Sequence, residues 1–373
     1  MISRQLANKL SRMLYKGKAI IITGPRQVGK TTLLKSIASE LKPQPLLLNC
    51  DETDVRQILT DTTSSRLRKI AGNHRVIMID EAQRVKNIGL TLKLFTDELP
   101  EIQIIASGSS ALELANQVNE PLTGRKFEYN LFPMSRKELV DHFSLLEENR
   151  IIEDRLIFGS YPEIVTNPED RVKRLTELTG SYLYKDLFNF QELRKPELLQ
   201  LLLEALALQI GNEVSYSELA QIVNSNPDTV KRYIDLFEKL YIVFRLRAFN
   251  RNLRTELKKS RKIYFYDNGI RNVLIRNFNP LNLRNDTGAL WENYLISERQ
   301  KRNAYDDHFC NTYFWRTKQQ QEIDYIEEYE GNLYAYEFKW NPNAKFNFSK
   351  SFLRAYPNNE TKVIHRNNLE QFI

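Results

Sequence analysis

The sequence predicts an α/β protein whose amino-terminal part is a parallel sheet covered by helices on both faces. Short apolar runs alternate with helix-like segments from residue 18 to about 130, and a glycine-rich loop joins the first run to the first helix. The strands expected in this part span residues 19–23, 45–50, 75–79 and 102–107. Strand signals stop after about residue 130, and strand-like segments return in the carboxy-terminal half.

Composition limits the class of protein. The chain has 373 residues, enough for several domains, and its 42% hydrophobic and 11% aromatic residues exclude a largely disordered chain. No apolar run approaches the roughly 20 residues that cross a bilayer, and the basic N-terminus lacks the apolar segment of a secretory signal, so we expect a cytoplasmic protein. Cys50 and Cys310 are far apart, and neither a disulfide framework nor a zinc site is expected.

The pattern of apolar residues divides the chain into four expected domains. Residues 1–130 form the core with the parallel sheet, and residues 131–196 are polar, leucine-spaced sequence expected to form a helical lid subdomain. Residues 197–275 give a helix, a helix-turn-helix and two strands, the outline of a winged helix. Residues 276–373 return to mixed α/β sequence.

The glycine-rich loop, GPRQVGKT at residues 24–31, matches the pattern G-x-x-x-x-G-K-[ST] between a strand and a helix. Such a loop curls its backbone N–H groups round phosphates at a helix N-terminus, where the helix dipole favours negative charge. We expect Lys30 to contact the β and γ phosphate oxygens and the Thr31 hydroxyl to ligate Mg²⁺. The candidate nucleotide-binding residues are Gly24, Pro25, Arg26, Gln27, Val28, Gly29, Lys30, Thr31 and Thr32.

Two acidic residues end the third expected strand. Asp80 is suited to the magnesium site, and Glu81 is placed to polarise an attacking water, although an acid pair here could also cap the following helix. The fourth strand ends in small polar residues, of which Ser109 or Ser110 is expected to contact the γ-phosphate or the water, unless this cluster is simply a turn.

Arg125 follows a glycine in the segment PLTGRKFEYNLFP. It is a candidate arginine finger that reaches a phosphate in its own or a neighbouring subunit. A surface salt bridge is the alternative role for this side chain.

Five segments carry a resemblance to a known family: GPRQVGKTTLL, IDEAQ, ASGSSALEL, LTGRKFEYNLFPMSRKEL and GSYPEIV. Together they resemble a prokaryotic family of AAA-type P-loop ATPases in which the ATP-binding domain precedes a domain of unknown function. The resemblance covers nearly the whole chain and is most specific through residue 165. It implies ATP and Mg²⁺ as cofactors, and hydrolysis at the phosphate loop and the acid pair, while leaving the cellular task open.

The expected winged helix carries a cluster of positive charge. Its first helix is expected at residues 217–223, and Pro227 begins the candidate recognition helix. Eight basic residues follow between 245 and 262, including Arg261 and Lys262, and this stretch contains a single acid, Glu256. Such a cluster favours contact with a phosphate backbone, although a lid or packing role and a solvated charged face are alternatives. The candidate DNA contacts are Lys231, Arg232, Arg245, Arg247, Arg251, Arg254, Lys258 and Lys259.

A second candidate site lies near the carboxy terminus. Glu292 is expected on a helix, Asp324 on a strand, and Glu337 and Lys339 on one face of another strand. This pattern resembles the PD-(D/E)XK fold of restriction-endonuclease-like nucleases, in which the acids bind Mg²⁺ and the lysine helps to activate water. Ile323, and not proline, precedes Asp324 here, so the motif is partial. A DNA-binding platform without cleavage and a set of surface salt bridges are the alternatives.

These features favour a homo-oligomeric, Mg²⁺-dependent ATPase that binds DNA and remodels it or moves along it, and a ring is one arrangement of such an oligomer. One alternative is an ATP-regulated nuclease that cuts at the carboxy-terminal cluster. The other is a nucleotide-switched protein that binds a protein partner.

Overall fold

The computed structural model describes residues 2–108, 121–188, 196–250 and 260–373. These residues form two compact units. The first unit contains the described residues up to 134 together with 239–241, and the second contains those from 135 to 238 and from 242 to 373. Among the described residues, no helix combines the length and the apolar character that a membrane crossing requires.

The first unit is built on a parallel sheet whose strand order is β2-β3-β4-β1-β5. The strands are β1 Ala19–Thr23, β2 Leu46–Asn49, β3 Val76–Asp80, β4 Gln103–Gly108 and β5 Lys126–Asn130. The four predicted strands are confirmed to within one residue at each end. Strand β5 was not predicted, because its alternating sequence KFEYN lacks the continuous apolar run of its neighbour β1.

Helices surround this sheet, and its central strands β1, β3 and β4 are buried along their whole length. Complete burial explains why these strands are continuous apolar runs, as expected of a parallel sheet covered on both faces. The helices are α1 Gln5–Met13, α2 Lys30–Glu40, α3 Thr53–Leu59, α4 Ser64–Ala71 and α5 Ile88–Glu98. A short 3₁₀ turn, Ala82–Arg84, follows β3.

Helices lead the second unit, in agreement with the loss of strand signals after the first sheet. They are α6 Arg136–His142, α7 Leu145–Arg150, α8 Ile152–Phe158, α9 Pro162–Thr166, α10 Arg171–Phe188, α11 Pro196–Leu208, α12 Tyr216–Ile222 and α13 Pro227–Lys239. The two helices of the expected helix-turn-helix are confirmed as α12 and α13, and Pro227 opens α13.

A six-stranded mixed sheet follows, in the order β11-β10-β9-β8-β6-β7. Its strands are β6 Val243–Ala248, β7 Arg261–Phe265, β8 Asn311–Arg316, β9 Glu322–Tyr329, β10 Asn332–Phe338 and β11 Asn359–Ile364. The helices of this part are α14 Asn268–Leu274, α15 Thr287–Tyr305 and α16 Lys350–Ala355. Helix α15 carries the large buried side chains Trp291, Tyr294 and Leu295 into the core.

The strand pair expected as the wing is part of this larger sheet. Strands β6 and β7 are antiparallel neighbours, as predicted. Strand β6 also pairs in parallel with β8, where Arg247 lies opposite Tyr313 and Ala248 opposite Phe314. The boundary expected at residue 275 therefore passes between strands of one sheet, and the division into four domains stays a prediction.

Candidate functional site

The phosphate loop connects β1 to α2, as the sequence predicts. Gln27 and Gly29 have left-handed backbone conformations, with φ of 58° and 93°, which turn the loop tightly before the helix begins at Lys30. The Lys30 side chain is 5% exposed, and its Nζ donates to the carbonyl oxygens of Gly24 at 3.0 Å and Pro25 at 2.8 Å. The lysine is thus held inside the loop, next to the helix N-terminus that favours an anion.

Three side chains meet at the carboxyl ends of adjacent strands beside this loop. The Thr31 hydroxyl donates to Oδ2 of Asp80 at 2.6 Å, and the Ser107 hydroxyl donates to Oδ1 of the same carboxylate. Asp80 ends β3, whereas Ser107 belongs to the neighbouring strand β4. A magnesium ion fits this arrangement, because a hydroxyl and a carboxylate are adjacent and both offer the hard oxygen atoms that Mg²⁺ prefers.

Glu81 follows Asp80 in an unusual backbone conformation. Its φ of 52° lies in the left-handed region, which costs a residue with a side chain about 1–2 kcal/mol. Its side chain makes no capping hydrogen bond to the 3₁₀ turn, so the capping alternative does not describe it. Its Oε2 instead accepts a hydrogen bond from Nε2 of Gln83 at 2.6 Å, which orients the carboxylate.

The serine that the structure brings to this site differs from the one predicted. Ser109 and Ser110 lie outside the described residues. Ser107, two residues earlier, is fully buried and contacts Asp80. The sequence feature that points to Ser107 is its position within an apolar strand that ends beside β3. A hydroxyl buried there needs a hydrogen-bond partner.

Arg125 does not lie where an arginine finger would reach the phosphate loop of the same subunit. It directly precedes β5, and its carbonyl oxygen accepts from the N–H of Ala19 at the beginning of β1. The phosphate loop follows the other end of β1, about 16 Å away for a five-residue strand. Arg125 instead forms a 2.5 Å ion pair with Asp97, so the role in its own subunit is corrected to a salt bridge. A role across a subunit interface stays a prediction.

One residue of the nucleotide site was missed entirely. Arg4, just before α1, is 7% exposed, and its guanidinium donates to the carbonyl oxygens of Val28 and Phe132, each at 2.6 Å. Val28 belongs to the phosphate loop. The sequence gives no local signal for this contact because 24 residues separate Arg4 from Val28.

Not every predicted DNA contact of the second unit is available to a ligand. Lys231, Arg232 and Arg247 are exposed. Arg245 is instead paired with Asp235 at 2.5 Å and with Glu238, both on α13, so its prediction as a DNA contact is corrected. Arg251, Arg254, Lys258 and Lys259 lie outside the described residues.

The structure brings the predicted carboxy-terminal residues into one cluster. The Lys339 ammonium donates to Oε1 of Glu337 at 2.6 Å, and Asp324 on the neighbouring strand accepts at Oδ2 from the N–H of Phe338 at 2.8 Å. Glu292 projects from α15 toward the same group, where its charge raises the pKa of Asp324. Glu337 is buried, so the alternative of a surface salt bridge is wrong for this residue.

Three further residues complete this cluster, and the sequence did not predict them as part of it. They are Lys262, Tyr264 and Glu322. Nζ of Lys262 lies 3.0 Å from Oε1 of Glu292 and also pairs with Glu322. The Tyr264 hydroxyl donates to the same Glu292 oxygen at 2.5 Å. We refer to Lys262, Tyr264, Glu292, Glu322, Asp324, Glu337 and Lys339 as the carboxylate cluster.

Burial raises the pKa of two acids of the carboxylate cluster, Asp324 and Glu337. Burial is the main cause that raises the pKa of Asp324, followed by the neighbouring charges of Glu292 and Glu337. Burial also raises the pKa of Glu337, although the Lys339 ammonium opposes this change. For Lys262, burial disfavours the charge, but Glu292, Asp324 and Glu322 outweigh it and raise the pKa.

A separate group of side chains in the second unit brings its ligand atoms close together. Among the described residues, one group of three histidine, cysteine or acidic side chains brings its ligand atoms within 4.8 Å of one another. That group is His308, Cys310 and Glu327. Both oxygens of Glu327 accept from Arg299, and burial together with Glu327 raises the pKa of the Cys310 thiol to about 12. A protonated thiol and an engaged carboxylate are poor metal ligands.

Family models match three consecutive segments of the chain. Residues 16–140, which hold the phosphate loop, Asp80 and Ser107, match a family described as an AAA domain. We therefore refer to this segment as the AAA-type domain. Residues 149–281 match a domain of unknown function, DUF8612, and residues 287–372 match another, DUF4143. The AAA-type domain is thus followed by two domains whose descriptions name no activity.

Individual proteins are similar to this chain over most of its length. An uncharacterized protein of Mycobacterium tuberculosis is 25% identical over 342 residues, which cover 90% of this chain and 73% of the relative. An uncharacterized protein of Haemophilus influenzae is 25% identical over 305 residues, covering 73% of each chain. The solved Walker-type ATPase PABY2304 of Pyrococcus abyssi is 17% identical, covers 74% of this chain and 96% of its own, and has a TM-score of 0.50. This likeness confirms the predicted α/β P-loop fold of the AAA-type domain.

Proposed function

We propose that the AAA-type domain is a Mg²⁺-dependent ATPase that converts ATP to ADP and phosphate. The observation that carries this proposal is the contact of Thr31 with Asp80 beside the phosphate loop. It joins the hydroxyl that ligates Mg²⁺ in such loops to the strand-end acid that supports the ion. When bound, the ion supplies charge neutralisation to the phosphate oxygens.

Each side chain of the site has a distinct proposed role. Lys30 binds the β and γ phosphate oxygens once its Nζ leaves the loop carbonyls. Glu81 orients and polarises the attacking water, and Gln83 holds its carboxylate for that task. Ser107 fixes the Asp80 carboxylate from the neighbouring strand.

Two substitutions test the ATPase proposal. Lys30→Ala is expected to abolish nucleotide binding, whereas Glu81→Gln is expected to bind ATP and hydrolyse it poorly, because it keeps the shape but loses the base. The measurements are affinity for a fluorescent ATP analogue and steady-state phosphate release. Lys35→Ala, at an exposed position of the same helix α2, is the matched control and should behave as wild type. Wild-type turnover in Glu81→Gln would refute its role.

We further propose that the protein acts as a homo-oligomer on DNA, with residues 197–275 as a winged helix and the carboxy-terminal sheet as an endonuclease-like platform. The support is the helix-turn-helix of α12 and α13 with exposed Lys231 and Arg232, and Arg247 exposed on β6. Exposed cations of this kind neutralise phosphates and release counterions. The proposed outcome of hydrolysis is remodelling of DNA or movement along it.

The DNA proposal is tested by measuring ATP turnover with single-stranded, duplex and branched DNA over a salt series. Stimulation by one form that fades as salt rises supports it, and Lys231→Glu with Arg232→Glu should remove the stimulation without changing basal turnover. Unchanged turnover with every DNA would favour a nucleotide-switched protein that binds a protein partner. Magnesium-dependent nicking lost in Lys339→Ala would favour the ATP-regulated nuclease.

A further inference from the structure

The carboxylate cluster already contains a cation, and it belongs to the chain. Lys262 on β7 is 1% exposed, and its ammonium lies 3.0 Å from Oε1 of Glu292 and in contact with Glu322. The ring of Phe314 packs beneath it, with Nζ 5.4 Å from the ring centroid. The ammonium is thus fixed between a carboxylate of helix α15 and a carboxylate of strand β9.

The acids expected to bind Mg²⁺ are engaged by donors of the chain. Oε1 of Glu292 accepts from both Lys262 and the Tyr264 hydroxyl. Asp324 accepts from the backbone N–H of Phe338. Oε1 of Glu337 accepts from Lys339. A divalent ion bound by Oε1 of Glu292 and Oε1 of Glu337 would have to displace two ammonium groups, and the loss of Lys262 from its place would leave a buried charge without its partners.

We propose that the Lys262 ammonium serves as the cation of the carboxylate cluster, and that the cluster binds no divalent metal ion. The endonuclease-like sheet then lacks the ion that would polarise a phosphodiester, and it does not cut nucleic acid. This inference concerns the second unit and is independent of whether the AAA-type domain hydrolyses ATP.

The two oxygens of the Glu337 carboxylate have different surroundings. Oε2 of Glu337 is buried and has no hydrogen-bond partner among the described residues. Its other oxygen, Oε1, accepts from the Lys339 ammonium, so the carboxylate already has a cation of the chain beside it. Lys262, Lys339 and Arg316, whose Nη1 lies 3.6 Å from Oε2 of Glu322, place three positive charges of the chain beside four carboxylates.

Manganese binding to the full chain tests the proposal. Thr31→Ala removes the metal ligand of the nucleotide site, and the electron paramagnetic resonance signal of free Mn²⁺ then reports binding elsewhere. We expect no Mn²⁺ bound by the carboxylate cluster in Thr31→Ala. Adding Lys262→Met frees the acids. The double variant should bind one Mn²⁺ ion with an affinity at least about tenfold higher than that of Thr31→Ala alone, which corresponds to about 1.4 kcal/mol.

A matched control separates this effect from the loss of any buried lysine. Lys301, also 1% exposed, pairs with Glu298 at 2.6 Å on α15 outside the cluster, and Lys301→Met in the same background should gain no Mn²⁺. If Lys262→Met does not fold, Asp324→Asn in the Thr31→Ala protein decides the question. Unchanged Mn²⁺ binding in that variant supports the proposal. A bound Mn²⁺ ion that Asp324→Asn abolishes overturns it.

Discussion

Truncation of Arg4 to alanine is expected to weaken both the stability of the first unit and its affinity for nucleotide. The guanidinium makes two 2.6 Å hydrogen bonds, to the carbonyl oxygens of Val28 and Phe132. A hydrogen bond to a charged group contributes about 1.5–3 kcal/mol, so the pair contributes about 3–6 kcal/mol to the free energy of unfolding. Because one acceptor belongs to the phosphate loop, loss of the contact also releases the loop backbone. Arg4→Lys should lose about half of this energy, because a lysine cannot make the forked contact.

The location of the tryptophans makes this prediction measurable. The three tryptophans, Trp291, Trp315 and Trp340, all belong to the second unit, so their fluorescence in urea reports the unfolding of that unit. Far-ultraviolet circular dichroism reports both units, and the transition that tryptophan fluorescence does not follow belongs to the first. Arg4→Ala should move that transition to lower urea, and a fluorescent ATP analogue should bind more weakly.

The control for Arg4 is Arg12→Ala, an exposed position on α1. It removes a guanidinium from the same helix without touching the phosphate loop, and its unfolding should match that of wild type. Equal urea midpoints and equal nucleotide affinities for Arg4→Ala and Arg12→Ala would refute the reasoning.

Two further predictions concern Ser107 and Asp286. Ser107→Ala leaves the Asp80 carboxylate with fewer fixed donors and should lower ATP turnover roughly 10- to 100-fold, measured as phosphate release, with wild-type turnover as the contrary result. Burial raises the pKa of Asp286, but Arg284 and Arg271 outweigh it and lower that pKa to about 2. The unfolded chain therefore binds more protons than the folded chain between about pH 4 and pH 2, so stability falls as the pH drops through this interval. After allowance for screening by solvent, Asp286 should account for about 1 kcal/mol of this loss of stability. Urea unfolding followed by tryptophan fluorescence measures the loss, and Asp286→Asn should lose about 1 kcal/mol less than wild type over the same pH interval.

The helices and strands that the sequence predicted correctly depend on local patterns. The loop at residues 24–31, the strand that ends at Asp80 and the helix that begins at Pro227 are each specified by neighbouring residues. Glycine conformation, continuous apolar runs and a proline at a helix start act within a few positions of the chain. A single sequence therefore reveals them.

The parts that the sequence missed depend on contacts between distant residues. Arg4 contacts Phe132 across 128 positions, and Lys262 contacts Glu292 across 30. The sequence of residues 245–262 indicates an unpaired Arg245, because its partners Asp235 and Glu238 lie outside that segment, on α13. Local charge counts measure composition, whereas the net charge that a ligand meets depends on pairing after folding.

The pairing of β6 with β8 has a practical consequence for fragments of this protein. The segments matched by the two domains of unknown function end at residue 281 and begin at residue 287. Cleavage between them would separate β6 and β7 from β8 and its neighbours, although all six strands share one sheet. Each fragment would then expose a bare strand edge, which promotes aggregation. The two segments should therefore be expressed and crystallised as one piece.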